Sequence, residues 1–83
     1  MDVEGWLSDR DGYWHKRFHR DEQSWALHPK VFIDLGRPMP DGSPALLKSR
    51  QHLRRVDAEQ LWKDLRHQGW KQVSPVWGKG IEP

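Results

Sequence analysis

The chain has 83 residues, enough for one domain, and it has no cysteine, so neither disulfides nor thiolate–metal sites can reinforce it. Charged residues make up 31% with a net charge of only +2, so the isoelectric point near 9.2 hints at anionic partners without requiring them. A domain of this size buries only about 60% of the surface that its unfolded chain exposes, and tryptophans hiding roughly 150–250 Å² each are expected to supply much of the core.

The opening MDVEGWLSDRDG lacks the basic start and apolar run of a signal peptide, and no stretch approaches the ~20 apolar residues of a membrane span. The expectation is a soluble cytoplasmic protein, residues 1–83 forming a single domain with its ordered core at about 5–77 and a flexible tail at 78–83. There is no internal repeat and no low-complexity tract.

In chain order, GWLSDRDGYWHKRFHR reads as a hairpin. Gly5–Leu7 is the first strand, Ser8–Gly12 the turn, with Asp11-Gly12 suited to positive φ, and Tyr13–Arg20 the second strand. Alternation puts Trp14, Lys16 and Phe18 on one face of that strand. Tyr13, His15, Arg17 and His19 fall on the other, which is expected to face water. In RDEQSWALHPK, Pro29 disfavours helix at His28, leaving room for one short turn, with Trp25 and Leu27 expected to cover an end of the core. KVFIDLG is a third strand with Val31, Ile33 and Leu35 on one face. RPMPDGSP is a loop, and ALLKSRQHLRR a fourth strand fading into a basic segment.

VDAEQLWKDLRHQGW carries signals for a helix from start to stop. Asp57 suits the N-cap, Gln60 completes a capping box, and Val56 with Leu61 fits a hydrophobic staple. Ala58, Leu61, Trp62 and Leu65 recur as one apolar stripe, Arg66 and His67 suit the C-terminal pole, and Gly69 suits the left-handed C′ position, with Trp70 packing back on Leu65. KQVSPVW follows as a short final strand with Val73 and Trp77 inward, made an edge strand or cut short by Pro75. The expected fold is α+β: a small, mainly antiparallel sheet of four to five strands with one C-terminal amphipathic helix packed on one face. The first strand pairs with the second and the third with the fourth. The place of the last strand stays open; were it parallel to the fourth, the helix would be a right-handed crossover.

Chemistry for catalysis is sparse. The serines stand in no nucleophile motif, and Gly78-Lys79-Gly80 lacks the phosphate-loop pattern. His15 and His19 are four apart, which on a strand separates them by about 13 Å, too far to share one ion. Neither a metal nor a cofactor is expected. Two basic groups remain, Lys48, Arg50, Arg54 and Arg55 with His52, and Lys16, Arg17 and Arg20 beside Trp14 and Phe18. Cations interleaved with aromatics suit single-stranded RNA or DNA. The plainer account makes the charges a solvated face and Trp14 and Phe18 core. The aromatic side chains exceed what so small a core hides, which makes Trp6, Trp25 and Trp77, near strand ends or in the irregular connection, candidates for a protein interface.

The segments RFHRDEQSW, FIDLGRPMPDGSPALLKSR and DAEQLWKDLRHQGW with VSPVW resemble a family of small cyanobacterial proteins, common in marine picocyanobacteria and known only as a domain of unknown function. The resemblance runs from Gly5 to Trp77 and implies a cyanobacterial cytoplasmic origin; it implies no activity, cofactor or site. The residues themselves make non-enzymatic binding the expected function. A protein partner comes first, and single-stranded nucleic acid is the alternative, through Lys48, Arg50, Arg54 and Arg55 with Lys16, Arg17 and Arg20 as a second contact line.

Overall fold

The structure, a computed structural model, describes residues 3–41 and 45–77. The expected tail at 78–83 and the Gly42–Pro44 part of the proline loop lie outside the described residues. Strands β1 (Gly5–Ser8), β2 (His15–Arg20), β3 (Lys30–Arg37) and β4 (Leu46–Arg54) form an antiparallel meander. Helix α1 (Arg55–His67) then carries the chain across one face, and β5 (Lys71–Val73) pairs antiparallel with β1. The sheet order is β4-β3-β2-β1-β5. The last strand thus lies on the far edge from β4, and the conditional parallel crossover is not formed.

Period-two alternation sorts the side chains as the sequence suggests. Leu7, Phe18, Val31 and Ile33 are buried beneath the helix, with Leu53 half-buried beside them. Ala58 and Leu65 enter the same core, while Leu61 and Trp62 pack against it, so the predicted apolar stripe is the buried face of α1. Trp62 meets Phe18 edge-on at 5.1 Å between ring centres.

Four local expectations need correction. The helix starts at Arg55, and its N-cap residue is Arg54, with no side-chain cap. β4 runs straight into the helix because the Arg55 N–H donates to the Pro29 carbonyl at 2.9 Å, a tertiary contact that starts the first turn before Asp57 is reached. Asp57 lies in that first turn, Gln60 bonds Asp64 at 2.9 Å instead of reaching back, and Val56 is 62% exposed, so it staples nothing. Second, β2 begins at His15, because the Asp9 carboxylate accepts the N–H groups of Tyr13 and Trp14 at 2.9 and 3.2 Å and keeps both in the turn. Third, the His15 face of β2 is not wholly wet: His15 is buried, and Trp77 folds over this end of the sheet against Trp6, ring centres 4.4 Å apart.

Finally, Trp25 and Leu27 cover nothing; they are 72% and 80% exposed. The segment joining β2 to β3 is fixed by its own bonds. Ser24 Oγ donates to the Asp21 carbonyl at 2.7 Å and accepts from Lys30 N–H at 3.1 Å, and His28 N–H reaches the Trp25 carbonyl at 2.9 Å. That geometry turns the two apolar side chains outward.

The helix stop follows the sequence closely. Gly69 has φ of 99°, its N–H bonds Arg66 and the Trp70 N–H bonds Leu65, the paired bonds of a Schellman motif. Gly69→Ala should cost about 1 kcal/mol or more through backbone strain. Gly36→Ala should cost more, about 1–3 kcal/mol of overpacking. A methyl there would stand 2.6 Å from a Leu47 methyl carbon and 2.9 Å from the Leu46 carbonyl oxygen, which belongs to backbone and cannot swing away. Asp57→Ala, with no cap to lose, should stay within about 0.5 kcal/mol. Urea melts of the three variants check the ranking.

Candidate functional site

Strand register brings charged and aromatic residues together on the sheet face away from α1. Trp6, Arg17, Asp34 and Arg50 are consecutive cross-strand neighbours from β1 to β4; His19, Phe32 and His52 form the next row. Rows two residues apart on a strand lie about 7 Å from each other.

Asp34 is the anchor. Its side chain is completely buried, yet it accepts hydrogen bonds from Arg50 Nε at 2.6 Å and Nη2 at 3.0 Å, a bidentate pair, and meets His19 Nε2 at 2.8 Å. Burial pushes its pKa up, but the bonds and charges of His19 and Arg50 outweigh that and hold it at about 2. The Arg50 guanidinium also lies 4.4 Å from the Phe32 ring centre. His52 stacks on the same ring at 4.5 Å, and His19 flanks it at 5.5 Å. His52 Nε2 reaches Asp21 at 2.9 Å. Arg17 stands 5.5 Å over Trp6. His15, on the same face, is kept neutral-leaning: burial lowers its pKa, against smaller opposite effects from the Asp9 charge and the Tyr13 backbone.

The seven basic residues singled out in the sequence do not form one stripe. Arg17 and Arg50 share the helix-free face. Lys16 points to the helix side, 5.7 Å over Trp70, and burial lowers its pKa. Lys48 lies over Trp14 at 5.3 Å, beside the register shift at Leu35/Gly36, and Arg37 packs on Trp14 and Tyr13 at the same end of the sheet. Arg54 and Arg55 face Asp57 and Glu59 at 3.4 and 3.8 Å. Arg20 turns into a cleft of about 470 Å³.

That cleft is the second candidate site. Its walls are the Val3–Glu4 segment, the end of β2, the Asp21–Lys30 connection and the start of α1. Arg20, Lys30 and Arg55 line it with Glu4, Asp21 and Glu22, and Trp25 stands at its rim. Of the three tryptophans proposed for an interface, Trp25 is the exposed one, stacked 6.2 Å from His28; Trp6 and Trp77 are buried against each other. Among the described residues, no three histidine or acidic side chains converge as a metal site would require.

Residues 4–77 match the model of a family described as "Protein of unknown function (DUF1651)". The chain belongs to this family. The matched span takes in all five strands, the helix and the buried Trp77, so the DUF1651 unit coincides with the fold. No curated protein and no solved structure matches the chain. No helix among the described residues is long and apolar enough to cross a membrane.

Reading the sequence overlooks Asp34 and Phe32. The signal lies within KVFIDLG: an aspartate amid strand formers, on the face opposite Val31, Ile33 and Leu35, needs cations on both neighbouring strands. Only the register identifies the residues beside it. Asp34→Asn should cost about 2–3 kcal/mol at neutral pH, because Arg50 loses its charged partner. The native carboxylate has a folded pKa near 2. Its unfolded value is about 3.9, so its stabilisation is complete above that pH and is lost as pH falls towards the folded pKa. The gap between the two urea curves should therefore narrow between pH 4 and pH 2; a constant gap would show that the charge of Asp34 is not what the network uses.

Proposed function

We propose that this chain is a non-enzymatic binding protein that recognises another protein, holding an extended segment of that partner in the cleft beside Trp25. The observation carrying this reading is Trp25, 72% exposed at the rim of that cleft, with Leu27, 80% exposed, two residues further along the same connection. Large apolar side chains held outward beside a concavity are what interface anchors look like before a partner arrives. The connection that presents them is braced by Ser24, so less ordering entropy is lost on binding than with a loose loop. The cleft walls carry both signs of charge, Arg20, Lys30 and Arg55 against Glu4, Asp21 and Glu22, which suits the mixed polarity of a polypeptide backbone with its side chains. The resemblance noted in the sequence supports a cyanobacterial cytoplasm as the setting.

The test begins with peptides selected on the native chain from a random display library. They are then titrated against it by amide-shift NMR. Shifts are expected at the Trp25 indole and at Arg20, Lys30 and Arg55. Trp25→Ala should weaken the selected peptides by about tenfold or more while leaving the unfolding free energy from urea melts within about 0.5 kcal/mol, since the ring packs on little. Equal binding to Trp25→Ala, or shifts confined to other surfaces, would end this reading.

A further inference from the structure

The chain ends its described course as a strap over a buried histidine. It leaves the sheet edge after Val73, which faces Trp6, and crosses the helix-free side to set Trp77 against Trp6 and over Gly36 of β3. Gly36 makes room for it: a carbon of the Trp77 ring would stand 3.2 Å from a methyl placed there. His15 of β2 is the cross-strand neighbour of Gly36. Opposite residues of an antiparallel pair project to the same side with Cβ atoms about 5 Å apart, so the His15 imidazole and the Trp77 indole share one space. Both residues are buried, and neither His15 Nδ1 nor Trp77 Nε1 has a hydrogen-bond partner among the described residues. Ser74 and Pro75 are exposed and Val76 is half-buried, which leaves Trp77 as the anchor of the strap.

We propose that protonation of His15 releases this strap. At neutral pH Trp77 closes over the imidazole and Trp6; in acid the imidazolium displaces the indole, and residues 74–77 swing off the sheet and uncover Trp6.

An imidazolium has two N–H donors and a charge, and both need acceptors or water. The surroundings of His15 supply few. From β1, Ser8 stands opposite, its Oγ already donating to the Asp9 carbonyl, and the Asp9 carboxylate accepts the N–H groups of Tyr13 and Trp14. On β2 itself the next side chain on this face is Arg17, a like charge. On β3, Gly36 offers no side chain, and Asp34, two residues away, is taken by His19 and Arg50. β4 adds Leu47 opposite Gly36, and the strap adds an indole N–H, which is a donor. Burial therefore outweighs the Asp9 charge and the Tyr13 backbone, which favour the cation, and the pKa of His15 is lowered.

The strap is the wall that can yield. β1, β2 and β3 each pair with a strand on both sides, whereas the strap hangs by one ring. Closure is thus favoured above the ordinary imidazole value of about 6.5 and is lost as pH falls from there through the lowered one. The strap lies apart from the Trp25 cleft, and its release does not rest on the reading given for that cleft.

The experiment is an NMR titration of the full chain from about pH 8 to pH 4, following the His15 ring protons, the Trp6 and Trp77 indoles and the backbone amides. The indoles and the amides of Ser74, Val76 and Trp77 should move towards the values of an unstructured chain along the His15 curve, while amides of Phe18 and Ala58 in the core hold their positions. His15→Gln should leave the strap signals flat over this range. Trp77→Ala should raise the His15 midpoint towards about 6.5, because a cover that opposes protonation must in turn be opposed by it. Should His15→Gln fail to fold, Trp77→Ala reads the same coupling from the other partner. An unchanged His15 midpoint in Trp77→Ala would overturn the proposal. So would strap signals that move equally in His15→Gln, or a strap that opens only when the core amides melt with it.

Discussion

A carboxylate with no exposed surface sits in β3, an inner strand of the meander, and three strands are registered around it. Asp34 on β3 has Arg17 of β2 and Arg50 of β4 as its cross-strand neighbours, and His19 completes its bonding. Moving β3 by one residue would carry Asp34 beneath α1 and turn Val31 and Ile33 to the other face. The misplaced charge would then lack its bidentate partner in the most apolar part of the molecule. The apolar alternation and the buried ion pair therefore specify the same register from opposite faces. Such agreement between levels helps a chain this short to select one structure.

The two faces use their aromatic residues differently. Beneath the helix, Phe18 and Trp62 meet edge-on as ordinary core packing. On the other face, aromatics serve as supports for charge: Trp6 under Arg17 and Phe32 under Arg50. A cation held over a ring keeps its charge near solvent while its stem covers apolar surface. The protein thus covers sheet that no helix reaches without adding exposed hydrocarbon.

The parts of this fold legible in the sequence are those written in local periodicity. Val31, Ile33 and Leu35 announce their common face, the stripe from Ala58 to Leu65 announces the buried side of α1, and Gly69 announces its stop. What depends on a distant group is not legible. The start of α1 is set by the Pro29 carbonyl, so the capping pattern at Asp57 points three residues too far along. The place of β5 rests on a three-residue pairing with β1, too short to carry a pattern of its own. Trp25 misleads because an apolar residue in a short chain is assigned to the core, while the hydrogen bonds of Asp21 and Ser24 turn its connection outward. The cluster on the helix-free face stays hidden because its members come from three strands and meet only through register.

The size of α1 explains why that face has to be finished with charge. Thirteen helical residues make a rod about 20 Å long and 10 Å across. Five strands at about 4.8 Å spacing make a sheet roughly as wide as the rod is long. One helix therefore roofs about half of one face and none of the other. Trp62 and Trp70 extend the roof on the helix side, and Trp77 covers the Trp6–Gly36 end behind it. Over β2, β3 and β4 the remaining surface has neither a helix nor a spare tryptophan among the described residues. The sheet can meet water there only through side chains that satisfy one another, and the His19–Asp34–Arg50 network does this. Trp25 answers no such shortage. It stands outside both roofs, on a braced connection beside a cleft. A shortfall of covering material explains the charges behind the sheet, but not a large ring left in solvent, and a recognition role addresses that second fact.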